Sequence, residues 1–504
     1  MTSVMGAALA GVDGVAVEVE VLISAQLPRV DIVGLPELSV RESAARVRAA
    51  IGAVGERFPP NRVTVNLAPA ALRKSGSGLD LAIAVGILVA GGSIEPAATR
   101  AVAFLGELAL DGRLRSVRGE LAMTLAAGDA GCATVIAPAR CTAAAALAPG
   151  VELLAAEDLG QVIAHLRGDE TLGRRPTLPE EDPLADAHPC LSDVRGQEAA
   201  KRGLILAAAG GHGVLLSGPP GSGKSMLAKR LPGILPPLRE AEALAATRIH
   251  DAAGLIQEDT PALVRRPFRA PHHSSTVAGL LGGGNPVAPG EASLAHTGVL
   301  FLDELPEFER RVRESLRQVM EDRCIVLARA NYTCRLPAEF MLVATANPCP
   351  CGWWGSDQRS CLCDARAIER YRRRISGPLL DRIDLHIRVP GQSWSEMGGP
   401  AEGDTSAAVS AHVASARSLQ YGRGGLSNAQ LPDADLDRLW KPTSAAQRLL
   451  GRAVDRLRLS ARAARRLQRV SRTAADLDRS KSTEEQHVAE ALGYRDEQAD
   501  RDEK

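Results

Sequence analysis

Apolar and polar positions divide the chain into three stretches. In residues 15–24 apolar and polar side chains alternate, the period of a half-buried strand. Residues 29–33 form a second short apolar run. Residues 62–67 form another strand, with Val63, Val65 and Leu67 on one face. From Ser39 the period lengthens to that of a helix, with Arg41, Glu42 and Arg46 set against Ala44, Ala45 and Val47. Residues 79–90 are the longest apolar run, interrupted by Asp80 and Gly86, and predict a buried helix. Asp111-Gly112 marks a hairpin over 106–118. An Ala-rich helix over 121–131 and a short strand over 134–137 follow. Strands alternating with helices make residues 1–166 an α/β or α+β unit.

Residues 167–190 lack periodicity and are rich in Pro, Asp, Glu and Arg, which predicts a linker. A second unit spans 191–392. A third, 405–497, is helical by pattern, and Arg and Ala dominate its residues 445–477. Residues 398–406 read as a short linker, and the charged end from 495 as frayed.

A chain of 504 residues is too long for one core, which agrees with several domains. With 45% apolar and 24% charged residues, a mostly disordered chain is excluded. The 60 basic residues balance the 60 acidic ones, so net charge selects no partner. No apolar run is long enough to span a membrane. Residues 1–17 lack the basic start and apolar block of an export signal. Nine cysteines are therefore expected as reduced thiols in the cytoplasm.

The sharpest chemical signal is Gly218-Pro219-Pro220-Gly221-Ser222-Gly223-Lys224-Ser225, preceded by an apolar strand (213–217) and followed by a helix (226–231). Such a glycine-rich turn lets backbone N–H groups close around phosphates. Lys224 would reach the β and γ phosphates, and Ser225 would ligate Mg²⁺. About 80 residues later, the apolar run 299–302 ends in Asp303 and Glu304. A buried strand there delivers two acids to its carboxyl end, where α/β sheets bind ligands. Asp303 would hold the magnesium water shell, and Glu304 would orient or deprotonate the attacking water. The strand 341–346 ends in Asn347, which either senses the γ-phosphate or forms a turn before Pro348. A GTPase is disfavoured because no NKxD-type motif is present. Arg382, in Leu379-Leu-Asp-Arg-Ile-Asp384, could enter a neighbouring subunit's site or pair with a nearby Asp.

These motifs together resemble AAA+ ATPases, in the magnesium-chelatase-like branch and its ComM/YifB type. Further matches are Arg266-Pro-Phe-Arg-Ala-Pro-His-His-Ser-Ser-Thr276, Gly282-Gly-Gly-Asn-Pro286, Asn347-Pro-Cys-Pro-Cys-Gly352 and Ser460-Ala-Arg462. In the first unit they are Val30-Asp-Ile-Val-Gly-Leu-Pro36 and Val63-Thr-Val-Asn-Leu-Ala-Pro-Ala70. The resemblance covers nearly the whole chain. It implies an α/β multidomain protein: a Lon protease-like α/β N-terminal domain, an AAA+ P-loop core and a C-terminal helical lid. It makes Lys224 and Ser225 Walker A, Asp303 and Glu304 Walker B, and Asn347 sensor 1. Arg382 becomes the arginine finger and Arg462 sensor 2. It also implies ATP and Mg²⁺ as cofactors, a homohexameric ring, and ATP-driven branch migration of DNA. A chelatase motor subunit inserting metal into a porphyrin is the alternative. That role needs partners with a metal-binding D-x-S-x-S motif, which this chain lacks. Active Lon-like proteases use a Ser and a Lys. Aligned to that pattern, the chain has Gly78 and Leu121 at those positions, although Ser77 and Lys74 lie nearby.

Three constellations stand apart. Cys349-x-Cys351 and Cys361-x-Cys363 offer four thiolates, the donor set of structural Zn²⁺, at a spacing shorter than usual; four reduced thiols in a loop are the alternative. His272-His273 could contact a metal or a phosphate, but adjacent rings point apart on regular structure, which disfavours one shared metal and favours a pore-facing loop. A hairpin over 322–336, turning near Arg329-Ala-Asn331, would carry Arg329 toward DNA or form a solvated turn. Residues 452–472 hold eight Arg and one Asp, either a phosphate-binding face or a solvated helix surface.

Overall fold

The computed structural model describes residues 1–35, 38–70, 77–141, 143–175, 189–256, 262–328, 333–392 and 403–495. The N-terminal part is an eight-stranded mixed sheet. Across it the strands run Gly173–Arg174, Glu152–Ala156, Thr134–Pro138, Val102–Phe104, Thr2–Ala10, Asp13–Ser24, Arg62–Ala68 and Arg29–Val33. Thr2–Ala10 pairs antiparallel with Asp13–Ser24 and parallel with Val102–Phe104. With three Ala and one Gly among nine residues it carries little strand signal, so periodicity missed it.

The apolar run over residues 79–90 is the buried helix Asp80–Ala90. Both of its interruptions serve packing. A Cβ on Gly86 would sit 2.9 Å from Val21, so glycine lets the helix lie close on the sheet. Asp80 is buried and meets the Arg46 guanidinium at 2.6 Å, with Ser43 also donating to its carboxylate. Residues 167–190 depart from the expected linker at their start. Gly173–Arg174 extends the sheet as an antiparallel partner of Glu152–Ala156. Two residues are too few to show a period, which is why the strand is invisible in sequence. Residues 176–188 lie outside the description, as do 398–402 of the second expected linker and the charged end beyond Arg495.

The central part is a five-stranded parallel sheet. Its order is Phe268–Arg269, Val299–Leu302, Met341–Ala346, Val214–Ser217, Leu385–Arg388. The first of these in the chain, Val214–Ser217, lies between the two last. Strand order therefore reverses at it, and the crevice at its carboxyl end is where such sheets bind ligands. The C-terminal part comprises Ser406–Gly424, Asp433–Leu439, Ser444–Arg456, Ala461–Leu477 and Glu485–Gly493. Leu436, Leu450, Leu467, Val470 and Val488 share one apolar cluster with Val214, Leu216 and Val343 of the sheet. Among the described residues, no helix is long and apolar enough to cross a membrane.

Half of the eight arginines of residues 452–472 form a solvated face, Arg452, Arg456, Arg458 and Arg462 being exposed, and the other four turn inward. Arg466 and Arg465 pair with Asp384 and Asp437. Arg469 reaches the Leu431 carbonyl and Asp433, at 2.8 and 2.7 Å. Arg472 is fully buried against Asp476 at 2.8 Å. The acceptors for Arg465, Arg466 and Arg469 come from segments distant in sequence, so the run could not be read as internal glue. Asp384 sits at the middle of this glue. It also accepts from His212 Nδ1 at 3.1 Å and from the Gly213 N–H at 3.3 Å. Burial alone would raise its pKa, but the Arg466 charge and the His212 hydrogen bond hold it below the usual carboxylate range. Removing one member of a buried pair strands the other's charge. Asp384→Ala is therefore expected to lose about 3–5 kcal/mol of stability, read as a lowered melting temperature by calorimetry.

The N-terminal part docks directly on the central part. Asp251 accepts a 2.8 Å hydrogen bond from the Leu121 N–H at the start of helix Glu120–Asp129. Arg248 pairs with Asp13 at 3.1 Å, and Val12 joins the cluster of Leu215 and Leu336. Burial pushes Asp251 up to about 6. Burial, aided by Arg269, pushes the neighbouring His250 down to about 4. The two act with opposite sign. The stabilisation from neutral His250 is complete above its ordinary value of 6.5 and is lost as pH falls through about 4. That from Asp251 is complete below 3.8 and is lost as pH rises through about 6. Between those limits His250→Gln is expected to flatten the loss of melting temperature on acidification. Asp251→Asn is expected to steepen it. Melting curves across pH 4 to 7 check both.

Candidate active site

Strand Val214–Ser217 ends in a turn that only glycine can start. A Cβ on Gly218 would lie 2.0 Å from the Val389 carbonyl oxygen. Gly221 and Gly223 have φ of 76° and 92°, which turn the loop 218–223 back on itself. The helix after it, Lys224–Ala228, is shorter than the expected 226–231, and a 3₁₀ turn with Pro232, Leu231–Ile234, follows. Proline lacks an N–H and cannot continue the helix ladder.

Lys224 Nζ lies 2.8 Å from the carbonyls of Gly218 and Pro219 and 3.2 Å from Asn347 Oδ1. Burial lowers its pKa, and the charges of Asp303 and Glu304 oppose that shift. Ser225 Oγ lies 3.0 Å from both oxygens of Asp303. Strand Val299–Leu302, buried throughout, delivers Asp303 and Glu304 at its end, both exposed. Glu304 takes a left-handed conformation, φ 54° and ψ 50°, which is strained for a residue with a Cβ. The Glu304 N–H donates to Thr345 Oγ1 at 2.8 Å, and that hydroxyl donates to Asp303 at 2.6 Å. Thr345 thus braces both acids. Sequence reasoning passed over it, although a lone hydroxyl in the run Met341–Ala346 is a visible signal. Lys224, Ser225, Asp303, Glu304 and Asn347 therefore converge at the carboxyl end of the sheet.

Arg382 and Arg462 are not brought to this cluster. The N–H groups of Asp384 and Leu385 both donate to the Gly213 carbonyl, at the amino end of Val214–Ser217. Four residues of strand, about 13 Å, separate that level from the phosphate-binding loop. Arg382 is buried and donates to the Pro378 carbonyl at 2.7 Å and to Glu321. Arg462 reaches the same Glu321 at 3.4 Å. The two arginines so meet around one carboxylate on the opposite side of the sheet. Arg382 lines a cleft of about 480 Å³ there, with Arg239, Arg266 and Arg323.

The four cysteines come together, with all ligand atoms within 4.8 Å of one another. The rings of His272 and His273 do not point apart. Their centroids lie 4.0 Å apart, because the segment is irregular and the alternation of a regular element does not apply. Cys324–Ala328 and Thr333–Pro337 form the expected hairpin, whose tip, including Arg329, falls outside the described residues. In the N-terminal part Ser77 donates to Glu107, Lys74 falls outside the described residues, and Leu121 is fully buried.

Family profiles match three stretches of the chain. "Magnesium chelatase, subunit ChlI" covers residues 190–397, "Subunit ChlI of Mg-chelatase" 19–141, and the C-terminal profile of the same subunit 403–495. Competence protein ComM of Haemophilus influenzae is 41% identical over 492 residues, 96% of this chain and 95% of its own. The uncharacterised protein YifB of Escherichia coli is 41% identical over 488 residues, again 96% and 95%. The magnesium-chelatase 67 kDa subunit of Heliobacterium mobile matches at 30% over 225 residues, 39% of this chain and 30% of its own. An AAA+ sheet followed by a helical part, matched along nearly its whole length by ComM and YifB, places the chain in the magnesium-chelatase ChlI family, among its ComM/YifB-type members.

Proposed function

We propose that this chain is an ATP-hydrolysing motor that assembles as a ring, hexameric as in its family, and acts on single-stranded or branched DNA in recombination or transformation. The observation that carries this reading is the split of the machinery between two ends of one sheet. Phosphate-binding and water-activating groups converge at the carboxyl end, while Arg382 and Arg462 gather about 13 Å away at the other. One chain thus carries half of two sites, and a second copy is needed to complete either.

In the proposed mechanism, the N–H groups of the loop Gly218 to Gly223 cradle the phosphates, and Lys224 offsets β and γ charge. Ser225 Oγ and Asp303 present hard oxygen donors side by side, which fits Mg²⁺. Held by these two residues, Mg²⁺ would supply neutralisation of phosphate charge. Glu304 takes a proton from the attacking water, and Asn347, within reach of Lys224, marks the γ-phosphate position. Arg382, with Arg462 beside it, stabilises charge on the γ-phosphate held by the adjacent subunit.

The DNA substrate is supported by full-length similarity to a protein named for competence. It is also supported by the hairpin of Cys324–Ala328 and Thr333–Pro337, which follows helix Arg310–Asp322 with its exposed Arg310 and Arg311. The chelatase-motor alternative draws on the family profiles, but the magnesium-chelatase 67 kDa subunit matches only 39% of this chain. A labelled four-way junction distinguishes them. ATP-dependent conversion of the junction into its forked products supports the DNA motor. Junctions left intact, while the chain hydrolyses ATP, overturn it in favour of a metal-insertion partner.

A further inference from the structure

The loop after Asn347 holds chemistry that ATP turnover does not use. Cys349 Sγ lies 3.4 Å from Cys351 Sγ and 3.7 Å from Cys361 Sγ, and the last two are 3.5 Å apart. Cys363 Sγ completes the group within 4.8 Å. Zn–S bonds of about 2.3 Å around a tetrahedron set sulfur–sulfur edges of about 3.8 Å. The thiols thus stand close to the edges of a single-ion site. They are too tightly gathered for an iron–sulfur cluster, whose cysteines spread around several irons. Backbone N–H groups of Trp354 and Cys363 point at the sulfurs of Cys349 and Cys361, at 3.3 and 3.4 Å, and would stabilise thiolate charge.

The knot also has a mechanical position. Cys349 and Cys351 follow directly on Asn347 at the end of a central strand. Gly352 packs on the phosphate-binding loop so closely that a Cβ would sit 2.5 Å from the Pro220 ring. Cys361 and Cys363 lead into helix Ala365–Arg372, whose Arg372 lies over the Trp354 ring at 3.9 Å. Next to that helix, Arg374 holds Glu307, three residues beyond Glu304, at 2.8 Å. Four ligands therefore tie the Asn347 strand end to the start of this helix, with the knot resting on the phosphate loop.

We propose that Cys349, Cys351, Cys361 and Cys363 bind one structural Zn²⁺ that fixes Asn347 and the phosphate-binding loop relative to each other. Four thiolates leave no open position, so the ion takes no part in chemistry. The effect on nucleotide rests on the proposed ATP site, whereas metal binding does not. The test begins with the full chain purified without chelator. Plasma mass spectrometry is expected to find about one zinc per chain. Exchange with Co²⁺ is expected to give the visible absorption of a tetrahedral cobalt thiolate centre. Chain with no zinc, four titratable thiols and no such absorption overturns the site, as does a disulfide among the four. These readings need no variant and hold whether or not ATP binds. Cys361→Ser/Cys363→Ser then tests the strut. Lost zinc with at least roughly tenfold weaker binding of a fluorescent ATP analogue supports it, the scale of loss seen when groups supporting a site are removed. Lost zinc with unchanged nucleotide affinity overturns the strut.

Discussion

Arg382→Ala is expected to reduce ATP turnover by about 10³-fold or more while leaving nucleotide binding in place, the scale of an arginine supplied to a phosphoryl-transfer site. Arg382 belongs to the amino end of the parallel sheet, and the phosphate-binding loop to its carboxyl end. A guanidinium cannot cross the length of the strand between them, so the proposed role requires a phosphate held by another copy. Mixed assemblies make the distinction sharp. Arg382→Ala subunits keep an intact Walker pair, and Glu304→Gln subunits keep an intact arginine. Each is expected to be inactive alone, and mixing them is expected to restore part of the turnover. An arginine acting within its own chain would leave the mixture as inactive as its parts. Melting temperatures of the variant check that loss of the Glu321 contact has not unfolded the region.

Glu304→Gln is expected to lower turnover by about 10²- to 10⁴-fold with ATP still bound, the range for loss of a general base. The amide keeps the shape and the hydrogen bond from the Glu304 N–H to Thr345, so the strained turn survives. Only the proton acceptor is lost. A variant that binds ATP and does not turn it over separates chemistry from binding, which equilibrium binding and steady-state hydrolysis measure independently. Equal loss of both would place Glu304 in holding the loop rather than in catalysis.

The parts of the site that share one strand or one turn were legible in sequence. The loop Gly218 to Ser225 and the Asp303-Glu304 pair each sit on a local pattern, an apolar run ending in the needed chemistry. Three of the five central strands followed from the same apolar runs, whereas Phe268–Arg269 and Leu385–Arg388 did not. What could not be read was anything set by distant segments. Arg465, Arg466 and Arg469 look like a basic surface until Asp437, Asp384 and Asp433 are folded against them. His272 and His273 obey no regular period, so the approach of their rings had no sequence rule behind it. Strand Thr2–Ala10 hides in small residues, although it sits in the interior of its sheet. The resemblance assigned Arg382 its part, but only the fold shows that it stands at the far end of the sheet from Lys224.

The most direct measurement is steady-state ATP hydrolysis by the purified chain, alone and with single-stranded or four-way-junction DNA, with Lys224→Ala as control. Hydrolysis that DNA stimulates several-fold, and that the variant lacks, is expected. Hydrolysis indifferent to every DNA, or unchanged by loss of Lys224, contradicts the proposed DNA motor.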